Sequence, residues 1–350
     1  MSSSLQNTAA WIKEPKAQLV VDSAPLSNPS AGEVLIKVHA VAVQPVDWKI
    51  QDYDFFVKQY PFILGTDVAG EVLEVGEGVT HVKKGDRVLG HSQALATGEP
   101  KHSAFQNYAV IHAAAVTPLP SSISFEDATV LPLALSTAAA GLYQSTHLAL
   151  PLPKADAPNP EGKGKSLLVW GGSSSVGSAA IQLAVASGLR VVATASPANF
   201  DFVKSLGASA VVDYKSEKVV DELVAELKKG GEEFAGVYDA ISENGSVEKS
   251  AEVATKLGGK QFVSTTLPPP QQLPTGVSAA GVFACDIVLK DNGAIARAVY
   301  HDFATPGLAN GALKPAPPAL VVGHGLGDVQ KGLNAQKKGV SGKKVVITLV

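Results

Sequence analysis

The stretch Lys165–Ser187, KSLLVWGGSSSVGSAAIQLAVAS, is the tightest constraint on what this chain can fold into. Leu167, Leu168, Val169 and Trp170 form an unbroken apolar run, the pattern of a parallel strand buried on both faces. Gly171 and Gly172 break the run, and Ser173, Ser174 and Ser175 follow. Val176, Ala179, Ala180, Leu183 and Ala184 then fall near helical spacing. Strand, glycine turn and helix in this order open a βαβ unit of the dinucleotide-binding kind. The turn lets backbone approach a pyrophosphate, and the helix start offers free N–H groups and the positive end of its dipole. The spacing is Gly-Gly-x-x-x-x-Gly, with Ser174 and Ser175 where glycines often stand. A tight strand-to-helix turn in any α/β protein fits the same residues.

Arg190–Ala195 reads as the next strand, about 20 residues beyond the turn, where a ribose-reading residue is expected. An NAD site carries Asp or Glu there. Here the strand leads into Ser196, Pro197, Ala198 and Asn199. No carboxylate opposes a 2′-phosphate, and Ser196 and Asn199 can hydrogen-bond one, so NADPH is the expected cofactor rather than NADH. Ser-Pro-Ala-Asn also suits a helix start, and the two roles are compatible.

A chain of 350 residues can hold two domains and a large core. Its formal net charge of -3 argues against nucleic acid or an anionic membrane as partner. The single cysteine, Cys285, excludes an internal disulfide and a multi-cysteine zinc site. The opening MSSSLQNTAAW has no basic, apolar leader pattern, and no apolar run reaches spanning length, so a reducing cytoplasm is the expected location.

The first part of the chain reads as mostly β. Strand candidates are 9–13, 17–22, 32–43, 68–75 and 87–89, separated by glycine turns, which suggests a compact barrel. Ser124 and Asp127 look like a helix cap, and the Ala- and Leu-rich run that follows reads as two helix segments broken near Pro132. Strands at 167–170, 191–195, 210–213, 236–239, 260–264 and 282–288 alternate with helices at 176–187, 199–206, 218–229 and 246–257. That alternation is a doubly wound parallel sheet. A helix is expected at 292–311 and a final strand at 343–349, returning to complete the first domain.

Several stretches together resemble the medium-chain dehydrogenase/reductase superfamily. They are Gly32–Val38, Gln44–Lys49, Leu64–Val72, Gly85–Val88, Ser136–Ala138, the glycine turn, Leu206–Ala208 and Val212–Tyr214. The similarity spans nearly the whole chain and is greatest to zinc-independent fungal reductases, among them trans-acting enoyl reductases, and to quinone oxidoreductases. The resemblance implies an α/β protein. A GroES-like β-barrel catalytic domain would occupy residues 1–138, completed by 290–350. A Rossmann NADP-binding domain with a doubly wound parallel sheet would occupy 139–289.

Zinc members of that superfamily place Cys near Gln44 and a His-Glu pair near Thr66 and Asp67. Gln44 and Thr66 are poor ligands, so no metal is expected. The family's Asn-Pro-x-Asp-Trp-Lys motif, here opening with Gln44, implies Val46, Asp47 and Trp48 beside the nicotinamide. Lys49 is the candidate for an electrostatic or proton-relay role; a structural ion pair with Asp47 or a phosphate contact is the alternative. Gln44 and Thr137 are the other catalytic candidates by resemblance, although Thr137 would also suit an ordinary helix start. The glycine turn from Gly172 through Ser173, Ser174, Ser175 and Val176 corresponds to the pyrophosphate loop. Ser196, Pro197, Ala198 and Asn199 correspond to the 2′-phosphate pocket, and Tyr214 to a residue near the adenine. Val340 and Ser341 correspond to a C-terminal cofactor contact. Phe283, Ala284 and Cys285 correspond to a strand flanking the substrate, with Cys285 a packing residue rather than a nucleophile.

The expected activity is NADPH-dependent hydride transfer to a conjugated C=C bond of a small enone or a carrier-bound enoyl group. A secondary-metabolic role fits this reading. A quinone oxidoreductase is the alternative within the class, because acceptor choice lives in pocket shape. A non-catalytic NADPH-binding protein is the alternative outside it. Gln44 favours that reading, whereas Lys49, Thr137 and the phosphate loop oppose it. A redox-neutral reaction that recycles its cofactor also stays open. Either a monomer or a homodimer is compatible with the sequence.

Overall fold

The computed structural model describes residues 5–350; the first four residues of the segment read as leaderless lie outside them. The chain divides into two units. One comprises the residues up to Leu133 together with Pro318–Val350, and the other is Ala134–Pro317. Among the described residues no helix is long and apolar enough to cross a membrane.

In the first unit, Glu33–Ala42 lies at the centre of a seven-stranded sheet. Its alternating apolar positions bury Val34, Ile36, Val38 and Val41. It pairs antiparallel with Asp67–Val75, with Tyr108–His112 and with the final strand Lys344–Thr348. Arg87–His91 and Val116–Pro118 extend the sheet on one side, and Ala319–His324 closes the other, parallel to Lys344–Thr348. Asn7–Ile12, Val20–Ala24 and Phe62–Ile63 form a separate three-stranded sheet. The return of the last strand is as expected from the sequence, with Val346 opposite Ala42. Two longer helices escaped the sequence reading, Pro45–Tyr53 and Val329–Lys338, as did the single turn Ala94–Thr97. The two longer helices are held together by Gln51 Nε2 donating to Gln330 Oε1 (2.9 Å) and Trp48 Nε1 donating to Gln336 Oε1 (2.6 Å).

The second unit carries a six-stranded, wholly parallel sheet. Its order is Ala210–Asp213, Arg190–Ala195, Lys165–Trp170, Glu233–Asp239, Phe262–Thr265, Ser278–Gly281. The first strand in the chain is therefore flanked by the second on one side and by the fourth on the other. Its neighbours leave in opposite directions, which makes its carboxyl end a topological switch point. Helices Ser175–Ala186, Phe200–Ser205, Val219–Lys228 and Ser246–Leu257 alternate with these strands, close to their expected bounds.

The last part of this sheet departs from expectation. No strand covers 282–288. Val282 N–H donates to Thr265 O (2.9 Å), the last ladder bond, after which Asp286 N–H turns back to Phe283 O (3.0 Å). Asp286–Leu289 is helical and buries Ile287 and Val288. Phe283, Ala284 and Cys285 therefore sit in a turn after an edge strand, not within a strand. The run VFACDIV matches a buried-strand template as well as a short helix, and length alone did not separate them.

The helical segment at 291–310 also differs. It contains a π-helical stretch, Ala298–Ala304, between α-helical turns. Tyr300 is fully buried there, its hydroxyl 2.7 Å from Ser136 Oγ. Residues 290–317 fall in the second unit rather than in the completion of the first, and the observed divisions lie at 133/134 and 317/318.

His91 ends its strand with no exposure, and among the described residues neither ring nitrogen has a hydrogen-bond partner. Burial holds its imidazole neutral, its pKa pushed down from 6.5 to about 3. The unfolded chain therefore takes up this proton at a higher pH than the folded chain. The stability tied to His91 is complete above about pH 6.5 and falls as pH drops toward 3, by roughly 1.4 kcal/mol per pH unit. His91→Leu is expected to flatten the fall in urea-unfolding free energy between about pH 6.5 and 5. An unchanged slope would show that the imidazole ionises freely in the folded protein.

Candidate active site

In the first unit, Gln44 precedes the helix Pro45–Tyr53 in extended conformation, and Pro45 fits the first helical position. The Asp47 carboxylate folds back to accept the Gln44 N–H (2.7 Å) and also accepts the Gly65 N–H (3.2 Å). Asp47 is 1% exposed, so it is a buried cap and not an open contact surface. Burial raises its carboxyl to about pKa 7, against the two backbone donors. Val46, Trp48 and Lys49 are half-buried on the same helix, and the Lys49 ammonium lies 5.7 Å from the centre of the Trp48 ring.

Asp67, fully buried, receives Gln44 Nε2–H at 2.6 Å and Leu133 N–H at 2.6 Å, one on each carboxylate oxygen. Thr66 Oγ1 lies 3.4 Å from the oxygen that Gln44 engages. Lys344, 3% exposed, acts electrostatically on both Asp47 and Asp67. Burial pushes the Asp67 carboxyl up and the Lys344 ammonium down. Gln44, Thr66 and Asp67 therefore do not fit a zinc ion. The amide presents N–H to the carboxylate, and the carboxylate oxygens are already occupied by donors. Val340 and Ser341 lie in the exposed turn before the last strand.

In the second unit, Gly171 turns the chain at φ +82° after the strand Lys165–Trp170. Gly171 N–H donates to Thr194 Oγ1 (2.9 Å) and Gly172 N–H to Thr194 O (2.8 Å), binding the turn to the neighbouring strand. Ser174 caps the helix Ser175–Ala186 by accepting the Gly177 N–H at 3.0 Å. A Cβ at Gly177 would stand 2.2 Å from Gly171 O, so the turn closes only around a glycine. Ser173, Ser175 and Val176 remain partly open to solvent. This glycine-lined cradle at the switch point fits a dinucleotide pyrophosphate.

Beside it, Asn199 Nδ2 lies 3.4 Å from Ser173 Oγ and 3.1 Å from Ser196 Oγ. Pro197 and Ala198 are exposed at the same corner. Ala195 pairs with Asp213, so the next step of the parallel register brings Tyr214 beside Ser196. Lys215 was not singled out from sequence, because a lysine after a strand carries no pattern. Its ammonium lies 5.7 Å from the Tyr214 ring centre and adds a cation beside this hydroxyl-lined corner.

Thr137 sits on the helix Pro132–Tyr143, 9% exposed, and its carbonyl accepts the Tyr238 hydroxyl at 2.7 Å. A Cβ at Gly141 on that helix would lie 3.1 Å from Val282, so the turn carrying Phe283, Ala284 and Cys285 begins against the same helix. Cys285 is buried, and burial pushes its thiol up to about 12, which makes it a packing residue and not a thiolate.

The model of the alcohol dehydrogenase GroES-like domain matches residues 30–121, and that of the zinc-binding dehydrogenase matches 175–291. The chain is 40% identical over 354 residues to dehydrogenase orsE of Emericella nidulans, covering 98% of this chain and 99% of the relative. It is 42% identical over 349 residues to trans-enoyl reductase himH of Aspergillus japonicus, covering 99% and 98%. In fold it resembles an alcohol dehydrogenase superfamily protein from Novosphingobium aromaticivorans, with a TM-score of 0.77 and 24% identity over 98% of this chain and 100% of that one.

Gly177→Ala is expected to lower urea-unfolding stability by roughly 1–3 kcal/mol, because backbone must move to admit the methyl group. Gly327→Ala has nothing within 4 Å of the new atom and should stay within about 0.5 kcal/mol of the parent. Equal stabilities of the two variants would contradict the closed turn.

Proposed function

The chain belongs to the medium-chain dehydrogenase/reductase family and is an oxidoreductase, and on that premise we propose that it is an NADPH-dependent, zinc-independent reductase of conjugated C=C bonds. The observation that carries this choice of reaction is the Gln44–Asp67 hydrogen bond. It commits the carboxylate to an amide donor where a Lewis-acid mechanism needs a metal ligand. A conjugated acceptor has less need of a Lewis acid. Hydride adds at the β-carbon, the negative charge develops on the remote carbonyl oxygen, and a proton then adds at the α-carbon. The name of the himH relative, trans-enoyl reductase, supports the same class of acceptor.

In this reading NADPH, when bound, supplies the hydride. The glycine turn and the helix Ser175–Ala186 hold its pyrophosphate. Ser196 and Asn199 hydrogen-bond the 2′-phosphate, with Lys215 as countercharge. Lys49 stabilises the enolate oxygen or relays the proton, and Thr137 and Gln44 orient the acceptor. The substrate is a small enone or an enoyl group on a carrier.

Titration with NADPH and NADH, followed by NADPH-oxidation assays on α,β-unsaturated carbonyls and quinones, tests this reading. NADPH should bind in preference to NADH, and enones should be reduced; turnover of quinones alone would make the chain a quinone oxidoreductase instead. Ser196→Asp should weaken NADPH binding by roughly tenfold or more through like-charge repulsion, with NADH affinity unchanged. Equal NADPH affinity would displace the 2′-phosphate from this corner. Lys49→Ala should lower kcat by about a hundredfold with cofactor affinity retained; surviving turnover would make Lys49 structural.

A further inference from the structure

Lys344 is an ammonium group buried at the end of the chain, far in sequence from any proposed catalytic residue, and resemblance assigned it nothing. An isolated buried ammonium is costly by several kcal/mol, so its retention asks for a counter-charge. The sheet supplies one by register. Val346 pairs with Ala42, and Ala42 pairs with Asp67. Val43 N–H donates to Val345 O at 2.9 Å, which carries the antiparallel pairing past the strand end and sets Lys344 opposite Gln44. Side chains at alternate positions share a face. Lys344, Gln44 and Asp67 thus project from one face of the sheet, and Asp47 reaches the group through the helix start.

The carboxylates are held by four N–H donors from three residues of the first unit. Asp47 accepts N–H groups from Gln44 and Gly65; Asp67 accepts Gln44 Nε2–H and Leu133 N–H. Gln44 is the shared member: its backbone bonds one carboxylate and its side chain the other. The strand register sets Lys344, 3% exposed, on the face that carries Asp67, and its charge favours the ionised form of both acids against the burial that opposes it.

We propose that Lys344 is a positioning residue, the internal counter-cation that pins Gln44 and the start of the Lys49-bearing helix to the strand carrying Asp67. It occupies electrostatically the role that a bound metal ion would fill in joining these segments, without offering an open coordination position. The proposal builds on the reading of Gln44 and Lys49 as acceptor-handling residues, and its structural half is independent of that reading.

The test uses the full chain, with Lys344→Met, Asp67→Asn and the double variant. Lys344→Met strands two buried carboxylates, so its melting temperature should fall, and amides of residues 44–53 should exchange with deuterium at least tenfold faster. The helix Ser175–Ala186 should keep its protection. With an enone acceptor, kcat should fall ten- to a hundredfold while NADPH affinity stays within about threefold. The double variant removes one charge of each sign and should recover much of the lost melting temperature, a non-additivity that marks direct coupling. Additive losses in the double variant, or unchanged exchange at 44–53, would overturn the proposal even if Lys344→Met folds poorly or the acceptor is unknown. Full kcat in a well-folded Lys344→Met would also overturn it. Absence of enone reduction by the parent protein, with the coupling and exchange effects present, would instead overturn the reaction assigned above and leave the lock standing.

Discussion

Burial of the Asp67 carboxylate is the constraint around which the first unit is arranged. A carboxylate with no exposure must have its oxygens satisfied and its charge offset, or the strand that carries it cannot lie in the sheet. The chain answers with donors from separate segments: the Gln44 side chain and the Leu133 backbone. Those bonds fix where the helix Pro45–Tyr53 begins, and so where Trp48 and Lys49 stand. The final strand returns beside Glu33–Ala42, and its first residue, Lys344, is buried there. On the proposal above, fold and candidate chemistry are coupled through this charged group.

The second unit solves the opposite problem. Its sheet is entirely parallel and alternates with helices, and its central strands are largely buried. Polar groups are concentrated just past the carboxyl ends of the strands. There Ser173, Ser196 and Asn199 hydrogen-bond one another loosely, at 3.1–3.4 Å, and stay partly open to solvent. The tight bonds are spent on shape: Thr194 on both glycine amides, Ser174 on the helix start. A rigid turn carrying underused hydroxyls is the arrangement a phosphate-bearing ligand requires, since such a ligand replaces weak internal bonds with stronger charge-assisted ones.

What the sequence made legible follows from the range of the interactions involved. The strand at 167–170, the glycine turn, the Ser124 cap and the helix Ser246–Leu257 are specified by neighbours a few residues apart, and each was readable. The turn at Phe283–Cys285 was not, because an apolar run fits a strand or a short helix until its hydrogen bonds are known. The helix Pro45–Tyr53 was hidden by its mixed polar surface and its brevity. The π-helical stretch around Tyr300 answers to Ser136, 164 residues away. Lys344 belongs to the same class. A lysine two residues into a Gly-Lys-Lys sequence looks like surface, and only the register of two strand pairings shows that it faces carboxylates.

This difference in range also explains why Gln44 was ambiguous. Read as a departure from a motif, it counted against catalysis. In the folded chain its amide is the one group that bonds both buried carboxylates, backbone to Asp47 and side chain to Asp67. An asparagine is one methylene shorter, and a cysteine cannot donate comparably, so the glutamine suits the 2.6 Å bond to Asp67. The polar site of the first unit is therefore a closed charge system. In the reading proposed above, chemistry belongs to its rim, on the helix where half-buried Lys49 stands, and its interior holds that helix start in place.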